Sequence, residues 1–190
     1  MAPAIGTRNV LAQAVTLDRS TANADAEPLE ARGEPVTIRA ITRDDMPGLK
    51  AVIDATGLFP AEMLDEMTAG HFDGGSPSEI WLTVDEDGPV AVAYCASERM
   101  THGTWNLLLI AVHPARQGQG VGAKLTRHIE TTLAASGERV LLVETSGLPE
   151  FERTRAFYRR LGYAEEARIR EFYRAGEDKI IFRKALIPPA

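Results

Sequence analysis

Apolar and polar positions alternate from Val36 to Thr42 (V-T-I-R-A-I-T), the period-two pattern of a half-buried strand. Thr42 to Asp45 then has the look of a helix cap, with Pro47 close behind. Leu49, Val52 and Ile53 mark one helical face that stops near Gly57, and Pro60 is expected to open a second helix ending around Gly70. Two strand-like runs, E-I-W-L-T-V-D-E-D-G and P-V-A-V-A-Y-C-A-S-E-R-M, predict an antiparallel hairpin turning at Asp87-Gly88. In T-W-N-L-L-L-I-A-V-H-P the segment L-L-L-I-A-V is apolar at every position, which predicts a central strand covered on both faces. Val121, Leu125, Ile129 and Leu133 recur every fourth residue, a helix ending at Gly137, and R-V-L-L-V-E-T-S is a second continuous apolar strand. The order strand–helix–strand demands a parallel, right-handed crossover between those two strands. A short helix at roughly 150–161 and a closing antiparallel pair around Gly176 complete the chain. The predicted class is α/β, a mixed and mostly antiparallel sheet with one parallel crossover.

Composition narrows the setting. The 190 residues suggest one domain over 35–187 preceded by a tail over 1–34, which lacks aromatics and shows no sustained period. That tail is expected to be mobile or weakly helical. No apolar run approaches the ~18 residues of a membrane span, so no membrane association is expected. The single Cys95 excludes an intramolecular disulfide framework and a thiolate metal cluster. His71, His102, His113 and His128 show no ligand spacing, so no metal is expected either. A cytoplasmic location is compatible with this cysteine usage, and a homodimer stays open. The net charge of −6 provides no general attraction for nucleic acid. Residues 153–184 nevertheless hold ten basic against five acidic side chains, either a solvated surface or a field for a polyanionic small ligand.

The strongest local signal is H-P-A-R-Q-G-Q-G-V-G, between the L-L-L-I-A-V strand and the Val121 helix. Gly118, Gly120 and Gly122 let the backbone approach a ligand, and amides at a helix N-terminus favour an anion such as a pyrophosphate. Gly118, Gly120 and Ala123 also satisfy the G-x-G-x-x-G/A dinucleotide fingerprint, with Glu144 as a candidate ribose acid. That fingerprint follows its strand at once, however, and here H-P-A-R-Q intervenes.

The loop resembles that of the GNAT superfamily of acetyl-CoA-dependent N-acyltransferases, written Q/R-x-x-G-x-G/A, through Gln117, Gly120 and Gly122. F-Y-R-R-L-G-Y at 157–163 is similar to that family's last helix, and the likeness spans about residues 36–186. The resemblance implies a fourth and a fifth strand, here 104–112 and 139–145, that run parallel and then splay to admit the pantetheine arm of acetyl-CoA. It implies main-chain pairing at Ile110, Ala111 and Val112, and pyrophosphate binding by the amides of Gln117, Gly118, Gln119, Gly120, Val121 and Gly122. Phe151 stands where many members carry a cofactor-contacting asparagine.

Acetyl transfer to an amine needs a neutral amine, a held oxyanion and a proton for the departing thiolate. Tyr158 resembles the family tyrosine that acts as general acid, although it also shares a helical face with Phe151, Thr154 and Leu161 as a core residue would. Glu144 and Glu98, both at strand ends, are the candidate bases. The expected activity is transfer of acetyl from acetyl-CoA, as co-substrate, to a primary amine of a small molecule or protein through a ternary complex. The alternatives are a non-catalytic acyl-CoA-binding module on the same fold and a dinucleotide-binding oxidoreductase.

Overall fold

The computed structural model describes residues 15–16 and 37–187. The strands are β1 (Thr37–Ala40), β2 (Glu79–Asp85), β3 (Pro89–Ser97), β4 (Thr104–Val112), β5 (Val140–Ser146), β6 (Ala164–Arg174) and β7 (Glu177–Ala185). The helices are α1 (Met46–Thr56), α2 (Met63–Phe72), α3 (Val121–Ala135) and α4 (Glu152–Arg160). The strands lie side by side in the order β1-β2-β3-β4-β5-β7-β6, and Val15–Thr16 adds a two-residue strand against β4 off that path. Every pair along the path is antiparallel except β4–β5. Apart from Val15 and Thr16, the tail assigned to 1–34 lies outside the described residues.

Helices cover both faces of the sheet. On one face, Val121, Leu125, Ile129 and Leu133 of α3 and Tyr158 of α4 pack with Leu107, Ile110, Val143 and Phe182. On the other, Leu49, Val52 and Ile53 of α1 and Leu64 of α2 pack with Trp81, Val92, Leu109 and Ala111. The apolar run in β4 is therefore buried on both sides, as a central strand requires.

β4 is not regular. Tyr94 of β3 pairs with Leu109 and its neighbour Cys95 with Leu107, so Leu108 is one residue too many. The extra residue is a β-bulge, and it reverses the alternation of side chains. Trp105 and Leu107 before it, and Ile110 and Val112 after it, all enter the same core cluster. The bulge also marks the end of pairing with β5, whose register with β4 runs from Thr104↔Val140 only to Leu107↔Val143. Beyond Leu107 the two strands part.

Some boundaries differ from the sequence pattern. Pro60 does not open α2: residues 60–62 form a preceding turn, with the Met63 amide donating to the Pro60 carbonyl, and the helix begins at Met63. It continues past Gly70 to Phe72 because nothing at Gly70 forces a left-handed residue there. A 3-10 turn at Pro149–Phe151 takes up the start of the segment assigned to the last helix.

The entry to α1 is locked electrostatically. Arg39 of the edge strand β1 donates to Asp45 from Nη1 and Nη2 at 2.7 and 2.8 Å and to Asp85 from Nε at 3.0 Å. Asp45 also accepts from the Thr42 amide at 2.7 Å, so the Arg39 guanidinium, between Asp45 and Asp85, ties β1, the start of α1 and the end of β2 together. The Arg39 hydrogen bonds hold the Asp45 carboxyl well below the usual range, against burial that acts the other way. A lowered native value stabilises the fold fully above the unfolded carboxyl pKa, about 4, and the contribution is lost as pH falls below that. Asp45→Ala is expected to cost about 2 kcal/mol at pH 7, because it leaves the Thr42 amide without its acceptor and removes two of the guanidinium's charged hydrogen bonds, leaving those to Asp85. That corresponds to roughly 4–8 °C in melting temperature. Urea melts at pH 7 and pH 3 check both points, since the gap between parent and Asp45→Asn should narrow in acid; a gap independent of pH would contradict the linkage.

Candidate active site

β4 ends at Val112, and the chain turns through Pro114–Arg116 into the glycine loop. The loop is braced by its own polar side chains. Gln117 Nε2 donates to the Val112 carbonyl and Gln119 Nε2 to the Ala115 carbonyl, each at 2.9 Å. Arg116 pairs with Glu86 of the β2–β3 hairpin, which anchors the loop to the sheet. Gly118 and Gly120 have φ of +74° and +79°, conformations costly for any residue with a Cβ. Gly120 is also the N-cap of α3, so the glycines turn the chain such that the first helical amides, which lack intrahelical acceptors, face outward from the helix end.

A cleft of about 560 Å³ opens over this turn. Its floor is the loop from Gln117 to Ala123, and its apolar end is formed by Val112, Phe157 and Leu161. Besides Arg116, which is paired with Glu86, its charged lining consists of Arg127 from α3 and Arg153 and Arg160 from α4. These three arginines were not singled out by sequence reading. Arg153, Ala156, Phe157 and Arg160 do carry the helical spacing of one face, but only the packing of α4 beside α3 reveals that this face looks onto the loop. Phe151 is the half-buried N-cap of α4 and does not line the cleft. Its neighbour Arg155 is buried instead and donates from Nη1 to the carbonyls of Ser146 and Leu148 at 2.6 and 2.9 Å, fixing α4 to the end of β5.

Tyr158 is fully buried, its ring packed on Phe157, Tyr163 and Phe182. Its hydroxyl finds no hydrogen-bond partner among the described residues, an uncommon state for a buried O–H. Burial pushes its pKa well above the ordinary tyrosine value, so the proton stays on the oxygen at neutral pH. Tyr158 belongs to the cluster that contains Leu107 and Val143, the last pair before the strands part. Phe157, rather than Tyr158, contributes to the wall of the cleft.

The two candidate carboxylates lie on the opposite face of the sheet. Asn106 and Leu142 are register partners, and strand alternation turns them away from Leu107 and Val143. Glu98 accepts from Asn106 Nδ2 at 2.9 Å, beside the foot of the splay. Its backbone is held by a turn, with the Glu98 amide donating to the Thr104 carbonyl and Thr101 Oγ1 donating to the Glu98 carbonyl. Glu144, two residues beyond Leu142, accepts from Lys179 Nζ at 2.7 Å and is engaged in an ion pair. Lys179 in turn sits over the Phe172 ring at 3.7 Å, and burial together with the charges of Glu144 and Glu177 raises the Tyr173 pKa. Cys95 is buried in the sheet, where burial pushes its thiol pKa up, away from thiolate chemistry.

The surroundings exclude the dinucleotide alternative, because such folds repeat parallel β-α-β units and the seven-strand path holds one parallel pair. Among the described residues no helix is long and apolar enough to cross a membrane.

Comparison with known proteins converges on the same architecture. The family model described as an acetyltransferase (GNAT) domain matches residues 76–165. A GNAT-family protein of Desulfovibrio desulfuricans with a solved structure is 32% identical, with a TM-score of 0.75 over 80% of this chain and 100% of that one. The ribosomal-protein-S18-alanine N-acetyltransferase of Escherichia coli superposes with a TM-score of 0.65 at 21% identity, over 81% of this chain and 96% of that one. An aminoglycoside 6′-N-acetyltransferase in complex with coenzyme A does so with 0.64 at 19% identity, over 81% and 99%. No curated protein matches the chain in sequence. With the glycine turn at the head of α3, the parting strands and a relative alike in sequence along its whole length, the chain belongs to the GNAT family of acetyltransferases.

Proposed function

We propose that this enzyme transfers the acetyl group of acetyl-CoA directly to a primary amine of a small molecule or a protein, with both substrates bound together. The observation that carries the reading is the parting of β4 from β5 after Leu107↔Val143, directly before the glycine turn. The residues present fit a CoA thioester, which supplies an activated acyl group on a good leaving thiol. Main-chain groups of Ile110, Ala111 and Val112 along the parted edge would pair with the amides of the pantetheine arm. Amides from Gln117 to Gly122 would hold the pyrophosphate, with Arg127, Arg153 and Arg160 supplying positive charge beside it.

The buried, unpartnered and protonated hydroxyl of Tyr158 fits the role of general acid, holding a proton for the departing thiolate. Glu98 is the better-suited base of the two carboxylates, since a neutral amide holds one of its oxygens whereas a lysine engages Glu144. Acid and base then lie on opposite faces of the sheet, joined through the splay. Glu98, held by a neutral amide and on the face away from the arginines, would favour a cationic amine. The S18-alanine and aminoglycoside enzymes that share the fold act on a protein amino group and on a small molecule, which spans the two acceptor classes proposed here.

An amine panel assayed for thiol release and for the acetylated product by mass tests the function; acetyl-CoA binding without turnover on any amine would favour a binding module. Replacing Arg153 and Arg160 together by Ala is expected to weaken acetyl-CoA binding about tenfold or more and to flatten its salt dependence, with the melting temperature held because both side chains are exposed. Calorimetry at low and high salt reads this, and unchanged affinity would remove the arginines from the site. Tyr158→Phe should lower single-turnover acetyl transfer by up to about 10²-fold, and Glu98→Gln by roughly 10²–10⁴. Removing a hydroxyl that has no partner loses no hydrogen bond, so Tyr158→Phe should melt at or above the parent temperature. Full single-turnover activity in that variant would defeat the general-acid role.

A further inference from the structure

The edge of β4 that β5 leaves is not bare. Val15 and Thr16 lie along it as a parallel strand, in the register Val15↔Ile110 and Thr16↔Ala111. Pairing with β5 ends at Leu107, so this segment takes up the same side of β4 three residues further on and in the same direction as β5. Ile110 and Ala111 are fully buried, and backbone groups in such surroundings are costly to leave unpaired. Val and Thr are among the residues best suited to a strand.

We propose that the chain carries its own competitor for the acyl-CoA slot: the Val15–Thr16 segment adds as a strand to the Ile110–Ala111 edge and must leave before the pantetheine arm can pair there. The inference rests on the reading that this edge binds the cofactor. One strand edge accepts one extended partner at a time, and a peptide strand and a pantetheine arm offer the same alternating amide groups. Apparent affinity is then the intrinsic affinity reduced by the fraction of molecules whose edge is open. A segment docked between three-quarters and nine-tenths of the time would weaken acetyl-CoA binding about fourfold to tenfold. The chain would thereby hold an internal control on its acyl donor, which anything that captures residues near 15–16 would release.

The test uses the full chain with Val15→Pro and Thr16→Pro combined, since proline has no amide to give to a ladder. Neither residue belongs to the proposed catalytic or cofactor-binding machinery. Amide hydrogen exchange of the segment covering 108–113 is followed in the cofactor-free proteins, and acetyl-CoA affinity is measured by calorimetry on both. The expected result is faster exchange in the double-proline chain, binding about fourfold to tenfold tighter, and a melting temperature lower by about 2–5 °C, since a strand docked only on the folded domain also stabilises it. Equal exchange and equal affinity, with both chains binding acetyl-CoA, would overturn the competitor and leave the cofactor site standing. Absence of acetyl-CoA binding in both chains would instead bring down the cofactor reading and the competition with it. A gap between the two chains that grows with protein concentration would overturn the intrachain form in favour of a second copy as donor.

Discussion

Half of one side of a buried strand lacks a neighbour in the seven-strand sheet, and the rest of the site follows from that constraint. A central strand ordinarily satisfies its amides and carbonyls on both edges. In β4 the single extra residue at Leu108 shifts the register, swaps which side chains point to which face and coincides with the departure of β5. The strand then has to keep its core contacts with the faces exchanged, which Ile110 and Val112 achieve by entering the cluster that Trp105 and Leu107 already occupy. What results is an edge inside a folded domain that β5 does not use, where Val15–Thr16 pairs with Ile110–Ala111, ending at a glycine turn and a helix N-terminus. Such an edge invites an extended ligand with amides of its own.

Charge is sorted around that edge in a way the net value of −6 conceals. Arg127, Arg153 and Arg160 gather on the side of α3 and α4, where the helix dipole already favours an anion. Glu98 and Glu144 lie on the other face of the sheet. The three arginines and the two carboxylates therefore lie on opposite sides of the sheet, with Glu144 neutralised by Lys179. On the arginine side, in the core beneath α3 and α4, the fold leaves the neutral Tyr158 hydroxyl without a partner, although desolvating an unpaired hydroxyl costs about 1–3 kcal/mol.

Much of this arrangement can be read along the chain. The all-apolar runs at 107–112 and 140–143 identify the two central strands, and the four-residue spacing of Val121, Leu125, Ile129 and Leu133 identifies the helix that must cross between them. Glycine spacing marks the turn at the head of α3 because left-handed φ at Gly118 and Gly120 restricts residue choice there. Other features carry no such signature. L-L-L-I-A-V looks the same with or without a bulge, since every position is apolar and a shifted register leaves no misplaced polar residue behind. The Glu144–Lys179 pair joins residues 35 positions apart through the β5–β7 register, and nothing local to either side chain announces it.

The sequence by itself determined the order and type of the elements from β1 to β7, the parallel crossover and the place of the glycine turn, but not the Val15–Thr16 strand. These rest on short-range periodicity and on the conformational limits of single residues. Only the tertiary structure decided where β4 and β5 part, which face of α4 looks onto the loop, which carboxylate a lysine engages and what lies against the open edge at Ile110–Ala111. Each of those depends on register between strands distant in the chain, and register is fixed by the packing of both sheet faces at once rather than by any one segment.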